Sequence, residues 1–246
     1  MKAQGAAGAV DFRSNAGIMP ALDVEKLDDA CRIVERTTDV DGVVAYKLGL
    51  TLTLRAGLAS AVGTLRKFTD LPIIYDHQKA GADLPDMAAK FASTCKAAGV
   101  DGLILFPIAG PSAVKQFVGQ SLAQGLLPLV GGDLPLPDYN TRGGGFVAGT
   151  GLARIFEQSV EIGARHFVVP ATDTRKIGRV TRLLQERLDT PSLFLPGIGA
   201  LGGSIVSAFK AAPECHCYAV VGRGIYSASD PAEAARVLGG EALKFA

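Results

Sequence analysis

Residues 103–130 read LILFPIAGPSAVKQFVGQSLAQGLLPLV, and this stretch determines which fold the sequence predicts. It opens with one short apolar run, residues 103–106, and closes with another, residues 126–130. A longer segment of helical periodicity, residues 112–124, lies between them. Runs that are apolar at nearly every position suit parallel strands buried on both faces. The stretch therefore predicts a strand, a helix and a second, parallel strand.

The same alternation continues along the chain. Short apolar runs predict eight strands, at residues 18–22, 43–48, 73–75, 103–106, 126–130, 167–169, 193–195 and 218–221. Helical patterns follow at 24–36, 52–68, 87–98, 112–124, 152–162, 174–188 and 204–211, and Asp230 with Pro231 marks the start of a last helix. Eight units of about 25–30 residues favour a closed α/β fold, the single (β/α)8 or TIM barrel. An open doubly wound sheet is the structural alternative.

The length of 246 residues suits one such barrel, which typically takes about 250 residues. We therefore predict a single catalytic barrel domain at residues 17–246. The segment before it, residues 1–16, is short and rich in small residues. It lacks the apolar stretch of a secretory signal, so we predict a flexible leader.

Basic and acidic side chains nearly balance, with 25 Lys and Arg against 24 Asp and Glu. No overall field would attract nucleic acid or an anionic membrane. No apolar run approaches the roughly 18 residues that indicate a membrane span. We therefore expect neither nucleic acid nor membrane as a partner, and an anionic substrate would have to be held by a local site.

The cysteines are irregularly spaced and predict no disulfide framework, which favours a reducing cytoplasm. Cys215-His216-Cys217 contains metal-binding residue types, but it leads into an apolar strand. Strand alternation would split these side chains between two faces, and no second ligand pair is near in sequence. We therefore predict no metal site here.

One half of a binding site is predicted where strands 7 and 8 end. Four glycines follow strand 7 and precede a helix, so backbone N–H groups can approach a ligand closely; they are Gly197, Gly199, Gly202 and Gly203. Arg223 follows strand 8 and carries a planar donor suited to phosphate. Barrels commonly bind phosphate after strands 7 and 8, so we predict a phosphate site.

The other half is a charged cluster at the end of strand 3. Asp76, Lys79 and Asp83 follow a buried run, while Gly81 and Pro85 disfavour an uninterrupted helix. We therefore predict that these charges lie close together at the carboxyl end of the strand, rather than in a row along an exposed helix. A lysine between carboxylates stays protonated and can deliver a proton or stabilise negative charge on a substrate carbon. Lys47, one strand away, would extend the network, and Asp23 ends strand 1.

Five motifs span nearly the whole chain; they are Ala21-Leu22-Asp23, Tyr46-Lys47-Leu48-Gly49, Asp76 to Pro85, Pro196-Gly197-Ile198-Gly199-Ala200 with Gly202-Gly203, and Val221-Gly222-Arg223-Gly224-Ile225-Tyr226. Together, and in this order, they resemble the motifs of the orotidine 5′-monophosphate decarboxylase family. The superfamily also holds 3-keto-gulonate-phosphate decarboxylase and hexulose-phosphate synthase.

The resemblance implies a cofactor-independent carboxy-lyase that converts orotidine monophosphate to uridine monophosphate and carbon dioxide, the last step of pyrimidine synthesis. It implies that Lys79 protonates C6 of the pyrimidine and that Asp76 lies beside the substrate carboxylate. Lys47 would bridge Asp76 and the ribose. The remaining implied contacts are Asp23 to a ribose hydroxyl, and Arg223, Gly222 and the backbone of Gly202 and Gly203 to the phosphate. A homodimer is also implied, with Asp83 entering from the partner chain.

The sequence departs from the family pattern at two places. The usual motif is Asp-x-Lys-x-x-Asp, whereas each gap here is one residue longer, which implies a different path that Gly81 would permit. Leu201 stands where the family usually has a glutamine that touches phosphate and base. Leucine cannot make that hydrogen bond, a loss of about 0.5–1.5 kcal/mol.

A long segment after strand 5, residues 131–151, corresponds to the family region that covers the pyrimidine. Its candidates for the ring contact are Asp133, Tyr139, Asn140 and Thr141. Two other functions stay open. One is a related sugar-phosphate decarboxylase or aldol-type synthase that uses a metal, and the other is a non-catalytic phosphate-binding barrel.

Overall fold

Eight parallel strands close into a barrel in the order β1 to β8, which confirms the predicted (β/α)8 fold and excludes the open sheet. The computed structural model describes residue 10 and residues 12–246, except for the side chains of Gln78 and Lys79. The strands are β1 Ala16–Leu22, β2 Tyr46–Gly49, β3 Ile73–Ala80, β4 Gly102–Leu105, β5 Leu127–Val130, β6 His166–Val168, β7 Ser192–Pro196 and β8 His216–Val221.

The helices form a layer outside the barrel, and most lie where helical periodicity predicts them. They are α1 Leu27–Thr37, α2 Leu50–Ala56, α3 Leu58–Leu65, α4 Met87–Ala97, α5 Pro111–Ala123, α6 Gly151–Ile162, α7 Thr174–Gln185, α8 Ile205–Lys210, α9 Arg223–Tyr226 and α10 Pro231–Ala242. Short 3-10 turns occur at Thr141–Gly143 and Leu243–Phe245. None of the described helices is both long and apolar enough to cross a membrane.

Two helical predictions illustrate how local chemistry sets the boundaries. Asp230 caps α10, because its carboxylate accepts hydrogen bonds from the backbone N–H groups of Ala232 and Glu233. The predicted helix at residues 52–68 is instead two helices, α2 and α3. Gly57 separates them with a positive φ of 75°, a conformation that interrupts a right-handed helix.

The buried side chains form two cores, because strands alternate their side chains between the barrel interior and the helix layer. The inner core includes Met19, Ile74, Leu129, Phe194 and Tyr218. The outer core lies between strands and helices and is larger. The interior is therefore packed with side chains up to the carboxyl ends of the strands, where a cavity opens.

The described end of the predicted leader contacts the barrel. Ala16 is the first residue of β1, and Asn15 accepts a backbone hydrogen bond from Cys217. The ring of Phe12 packs 4.9 Å from Tyr218 and 5.7 Å from Phe194, measured between centroids. These contacts close the amino-terminal end of the barrel. The rest of the predicted leader, residues 1–9 and 11, lies outside the described residues.

Cys215 and Cys217 lie at the amino-terminal start of β8, away from the mouth of the barrel. Both are free thiols. Burial raises the pKa of Cys217 to about 12 and that of Cys215 to about 11, so both are protonated at neutral pH. They pack as small apolar side chains.

Candidate active site

A cavity of about 330 Å³ opens at the carboxyl ends of the strands, where barrel enzymes carry their chemistry. Its polar lining comes mainly from the ends of strands β1, β2, β3 and β8. The predicted residues that line it are Asp23, Lys47, Asp76, Asp133, Gly197, Gly222 and Arg223. Residues far apart in the chain meet here because parallel strands end at the same rim.

Lys47 connects the first three strands. Its ammonium lies 2.8 Å from Oδ1 of Asp23 and 3.2 Å from Oδ2 of Asp76. The side chains of Lys47 and Asp76 are each 8% exposed, whereas that of Asp23 is 38% exposed. The structure thus brings together three of the predicted site residues in one hydrogen-bonded row.

The charge state of Lys47 follows from its surroundings. Burial lowers its pKa, but Asp76 and Asp23 raise it by more, so the pKa of Lys47 lies above its ordinary value. The side chain is therefore a buried cation at neutral pH. A fixed positive charge flanked by two carboxylates is an arrangement that can hold a polar substrate and stabilise developing negative charge.

Two alternate residues of strand β3, Tyr75 and His77, contact each other and the helix layer outside the barrel. The hydroxyl of Tyr75 lies 2.5 Å from Nδ1 of His77, and the His77 ring packs 5.8 Å from that of Phe91 in α4. Both side chains therefore face the helix layer. Because alternate residues point to opposite faces, Asp76 between them faces the barrel interior.

The longer motif spacing is accommodated within the strand itself. Tyr75 pairs with Leu103 and Ala80 with Leu105, so β3 carries extra residues over this interval and its register shifts. Ala80 packs with the outer core, although strict alternation from Asp76 would turn it inward. Between Tyr75 and Ala80, the different path that the longer spacing implies is therefore a bulge in β3. Gly81 follows it, with a φ of 100°.

Lys79 belongs to β3, and its side chain lies outside the described part of the structure. Asp83 is exposed and does not line the cavity of its own chain. Its carboxylate accepts a hydrogen bond from the N–H of Leu84. The roles of both residues stay predictions.

Three residues of the predicted phosphate half, Gly197, Gly222 and Arg223, line the cavity. Arg223 begins α9, lines the cavity and makes no ion pair with any described residue. The N–H of Gly202 donates to Gly199, at 2.7 Å, and the N–H of Gly203 donates to Gly197, at 3.0 Å. Both N–H groups are thus used within their own loop. Leu201 lines the cavity and is 56% exposed.

Asp133 is a third buried charged residue of the cavity lining, besides Lys47 and Asp76. It follows β5, is 7% exposed and lines the cavity together with Phe106, Leu134, Pro135 and Val168. It also lines the neighbouring cavity. The sequence offered it as one of four candidates without a way to choose between them. Tyr139, Asn140 and Thr141 do not line this cavity; the Tyr139 hydroxyl donates to the carbonyl of Gly132 instead.

The fold and cavity together define a class, a (β/α)8 barrel with a charged site at the carboxyl ends of its strands. A model of the Orotidine 5'-phosphate decarboxylase / HUMPS family matches residues 17–238. The chain belongs to this family. The match confirms the resemblance and the predicted type of enzyme, a carbon–carbon lyase that acts as a carboxy-lyase.

Individual relatives match along most of their length. The Orotidine 5'-phosphate decarboxylase of Methanosarcina mazei is 28% identical over 221 residues, covering 90% of this chain and 92% of the relative. That of Pyrococcus furiosus is 30% identical over 228 residues, covering 89% and 94%. A crystal structure of orotidine 5'-monophosphate decarboxylase from Methanocaldococcus jannaschii, complexed with inhibitor BMP, has a TM-score of 0.79 at 24% identity, covering 92% and 98% of the two chains. This last likeness supports the fold.

Proposed function

We propose that the protein decarboxylates orotidine 5′-monophosphate to uridine 5′-monophosphate and carbon dioxide in pyrimidine biosynthesis, and that it does so in the cytoplasm as a homodimer without a cofactor. The observation that carries the proposal is the hydrogen-bonded row Asp23–Lys47–Asp76 in a cavity that also contains Arg223. Family membership and the names of the relatives support the reaction type.

The proposed chemistry uses charges held in place before the reaction. The bond between C6 and the carboxyl group breaks and carbon dioxide leaves. The electron pair of the broken bond stays on C6. Lys79 then transfers a proton from its ammonium to C6. Fixed charges from Lys47 and Lys79 stabilise the developing carbanion, and such preorganised electrostatics is usually the largest contribution to rate. Asp76 would lie beside the substrate carboxylate and hold both lysines protonated.

Substrate binding is proposed to use two groups of polar residues in the cavity, one for the ribose and one for the phosphate. Lys47 and Asp23 would contact the ribose hydroxyls. Arg223 would bind the phosphate, with Gly222 beside it at the end of β8. Backbone donation from Gly202 and Gly203 would require that their present hydrogen bonds to Gly199 and Gly197 be exchanged for bonds to phosphate. Arg223 is therefore the principal phosphate contact in the proposal.

The experiment that tests the reaction follows the loss of orotidine monophosphate absorbance with purified protein. We expect turnover that EDTA does not change and that Lys79→Ala abolishes. Lys90→Ala, an exposed lysine on α4, is the matched control and should retain activity. Turnover retained in Lys79→Ala would remove this lysine from the mechanism.

The same assay separates the alternatives, which Leu201 and the longer motif keep open. Turnover of a sugar phosphate that magnesium stimulates, with none of orotidine monophosphate, would favour the metal-using relatives. Binding of phosphate esters without turnover of either substrate would favour a non-catalytic barrel.

The proposed homodimer has a separate test. If Asp83 completes the partner's site, Lys79→Ala and Asp83→Asn chains are each inactive alone. In a mixed dimer, one site would receive both an intact lysine and an intact aspartate. Random mixing makes half of the dimers mixed, so about a quarter of wild-type activity should return. No recovery, in protein shown to exchange subunits, would place Asp83 outside the partner's site.

A further inference from the structure

A hydrogen-bonded pair beside the active site, Tyr75 with His77, has no part in the proposed reaction. The two residues lie on either side of Asp76 in β3, and the Tyr75 hydroxyl is 2.5 Å from Nδ1 of His77. Tyr75 is buried, whereas His77 is exposed. Exposed side chains ordinarily change rotamer freely. The His77 ring is held instead, because it also packs 5.8 Å from the ring of Phe91, measured between centroids.

The Tyr75 hydroxyl can be the donor of this hydrogen bond. Burial raises the pKa of Tyr75, so the phenol is protonated at neutral pH. It donates to Nδ1 of His77 when the imidazole carries its proton on Nε2. Tyr75→Phe or His77→Ala therefore removes the bond. His77→Asn keeps an acceptor, because the amide oxygen is as many bonds from Cα as Nδ1 is.

The pair lies where β3 leaves regular pairing with its neighbours. Strand β2 pairs with β3 as far as Asp76, so His77 is the first residue beyond that ladder. On the other side, the bulge against β4 occupies the interval from Tyr75 to Ala80. A bulge disrupts the ladder locally, so its conformation depends more on side-chain contacts. The gap from Asp76 to Lys79 is also one residue longer than in the usual motif, which adds conformational freedom.

A bond between Tyr75 and His77 limits the conformation of the residue between them. It joins two side chains on the outer face of the strand, while Asp76 faces the cavity. The bond therefore restricts the backbone of Asp76, whose Oδ2 lies 3.2 Å from Nζ of Lys47. It also fixes the start of the bulge, and this bulge contains Lys79.

We propose that His77 is a positioning residue for the decarboxylation, and that its hydrogen bond with Tyr75 holds Asp76 and the bulge in the arrangement that the reaction needs. His77 does not line the active-site cavity, so it acts through the strand. This inference rests on the proposed function, which assigns roles in the reaction to Asp76 and Lys79. It explains how a longer motif can serve that reaction, because the side-chain bond removes the added conformational freedom.

The test measures kcat and KM for orotidine monophosphate separately. His77→Ala and Tyr75→Phe should each lower kcat by at least about tenfold, because small displacements of reacting groups are costly. KM should change by less than about threefold, since the proposed ribose and phosphate contacts lie on other strands. The double variant should lose no more than either single variant, because both changes remove one shared bond. His77→Asn should recover kcat to within about threefold of the wild type.

Tyr218→Phe is the matched control. The Tyr218 hydroxyl also makes a hydrogen bond, 3.1 Å long, to the carbonyl of Ser14 at the amino-terminal end of the barrel. Its loss should leave kcat unchanged. Thermal melting followed by circular dichroism separates positioning from stability, since a pair that only stabilised the fold would lower Tm and leave kcat of the folded protein unchanged. If His77→Ala does not fold, Tyr75→Phe, which removes a single oxygen atom, decides the test.

The outcomes distinguish this inference from the proposed function. Wild-type kcat in folded His77→Ala or Tyr75→Phe would overturn the positioning role alone. Losses that multiply in the double variant, or a His77→Asn variant that recovers no activity, would overturn the shared hydrogen bond as the cause. Absence of orotidine monophosphate turnover in the wild-type protein would instead overturn the proposed function, and this inference with it.

Discussion

Lys47 and Asp76 form a buried ion pair, in which Nζ of the lysine lies 3.2 Å from Oδ2 of the aspartate and each side chain is 8% exposed. Removing one partner of such a pair leaves a charge in a poorly solvated place, which is costly. We therefore expect Lys47→Met to lower the free energy of unfolding by about 3 kcal/mol and to abolish turnover. Urea denaturation and the decarboxylase assay would measure both. Asp23→Asn, at a more exposed site, should cost less stability than Lys47→Met.

Gly49 lies at the end of β2 directly against Asp23. A Cβ at this position would lie 2.1 Å from Oδ1 of Asp23, so a side chain there must displace the carboxylate. We expect Gly49→Ala to lower kcat/KM by more than about tenfold while the barrel stays folded, since small displacements at a site are costly. Circular dichroism and steady-state kinetics would test this. Gly63→Ala, on α3 with open space around it, should leave kinetics unchanged.

Leu201 occupies the place of the usual family glutamine and lines the cavity. We expect Leu201→Gln to strengthen binding of uridine 5′-phosphate by about two- to tenfold, because it adds one hydrogen bond worth about 0.5–1.5 kcal/mol. Leu201→Met, which adds no such bond, should bind as the wild type does. Unchanged affinity in Leu201→Gln would show that the ligand lies out of reach of this position.

His166 makes the stability depend on pH. Burial, with His216 and Arg165 nearby, lowers the pKa of His166 from 6.5 to about 4. The unfolded chain therefore binds this proton at a higher pH than the folded chain does. Stability from this residue is complete above pH 6.5 and is lost as the pH falls toward 4.

We expect the protonation of His166 to lower the free energy of unfolding by about 1–2 kcal/mol when the pH falls from 7 to 5. Urea unfolding of wild type and His166→Gln at both pH values would measure the difference. The variant should lose that much less stability on acidification. Parallel losses in the two proteins would show that other groups dominate.

Phe12 packs at the amino-terminal end of the barrel, opposite the active-site cavity. Its removal should therefore lower the stability of the protein without changing catalysis. Deletion of residues 1–9 should leave Tm unchanged, as the predicted leader implies. Phe12→Ala should lower stability by about 2 kcal/mol, or Tm by about 4–8 °C, because the ring is only partly buried against Tyr218 and Phe194. Differential scanning calorimetry would measure both. Catalysis in Phe12→Ala should be unchanged below its Tm.

The sequence by itself determined the barrel, because the hydrophobic patterns of strands and helices can be read from short stretches of sequence and do not depend on distant contacts. It also determined that Asp23, Lys47, Asp76 and Arg223 would share one cavity. Each follows or ends a parallel strand, and the carboxyl ends of parallel strands meet at one rim.

Only the tertiary structure decided how the extra residues of β3 are accommodated, as a register shift against β4. It alone showed that Asp133, of the four candidates after β5, lines the cavity, and that the N–H groups of Gly202 and Gly203 are already bonded within their loop. These features depend on contacts between segments far apart in the chain. No local pattern encodes which partner a loop residue or a bulged strand will find, so they follow from the packed structure and not from periodicity.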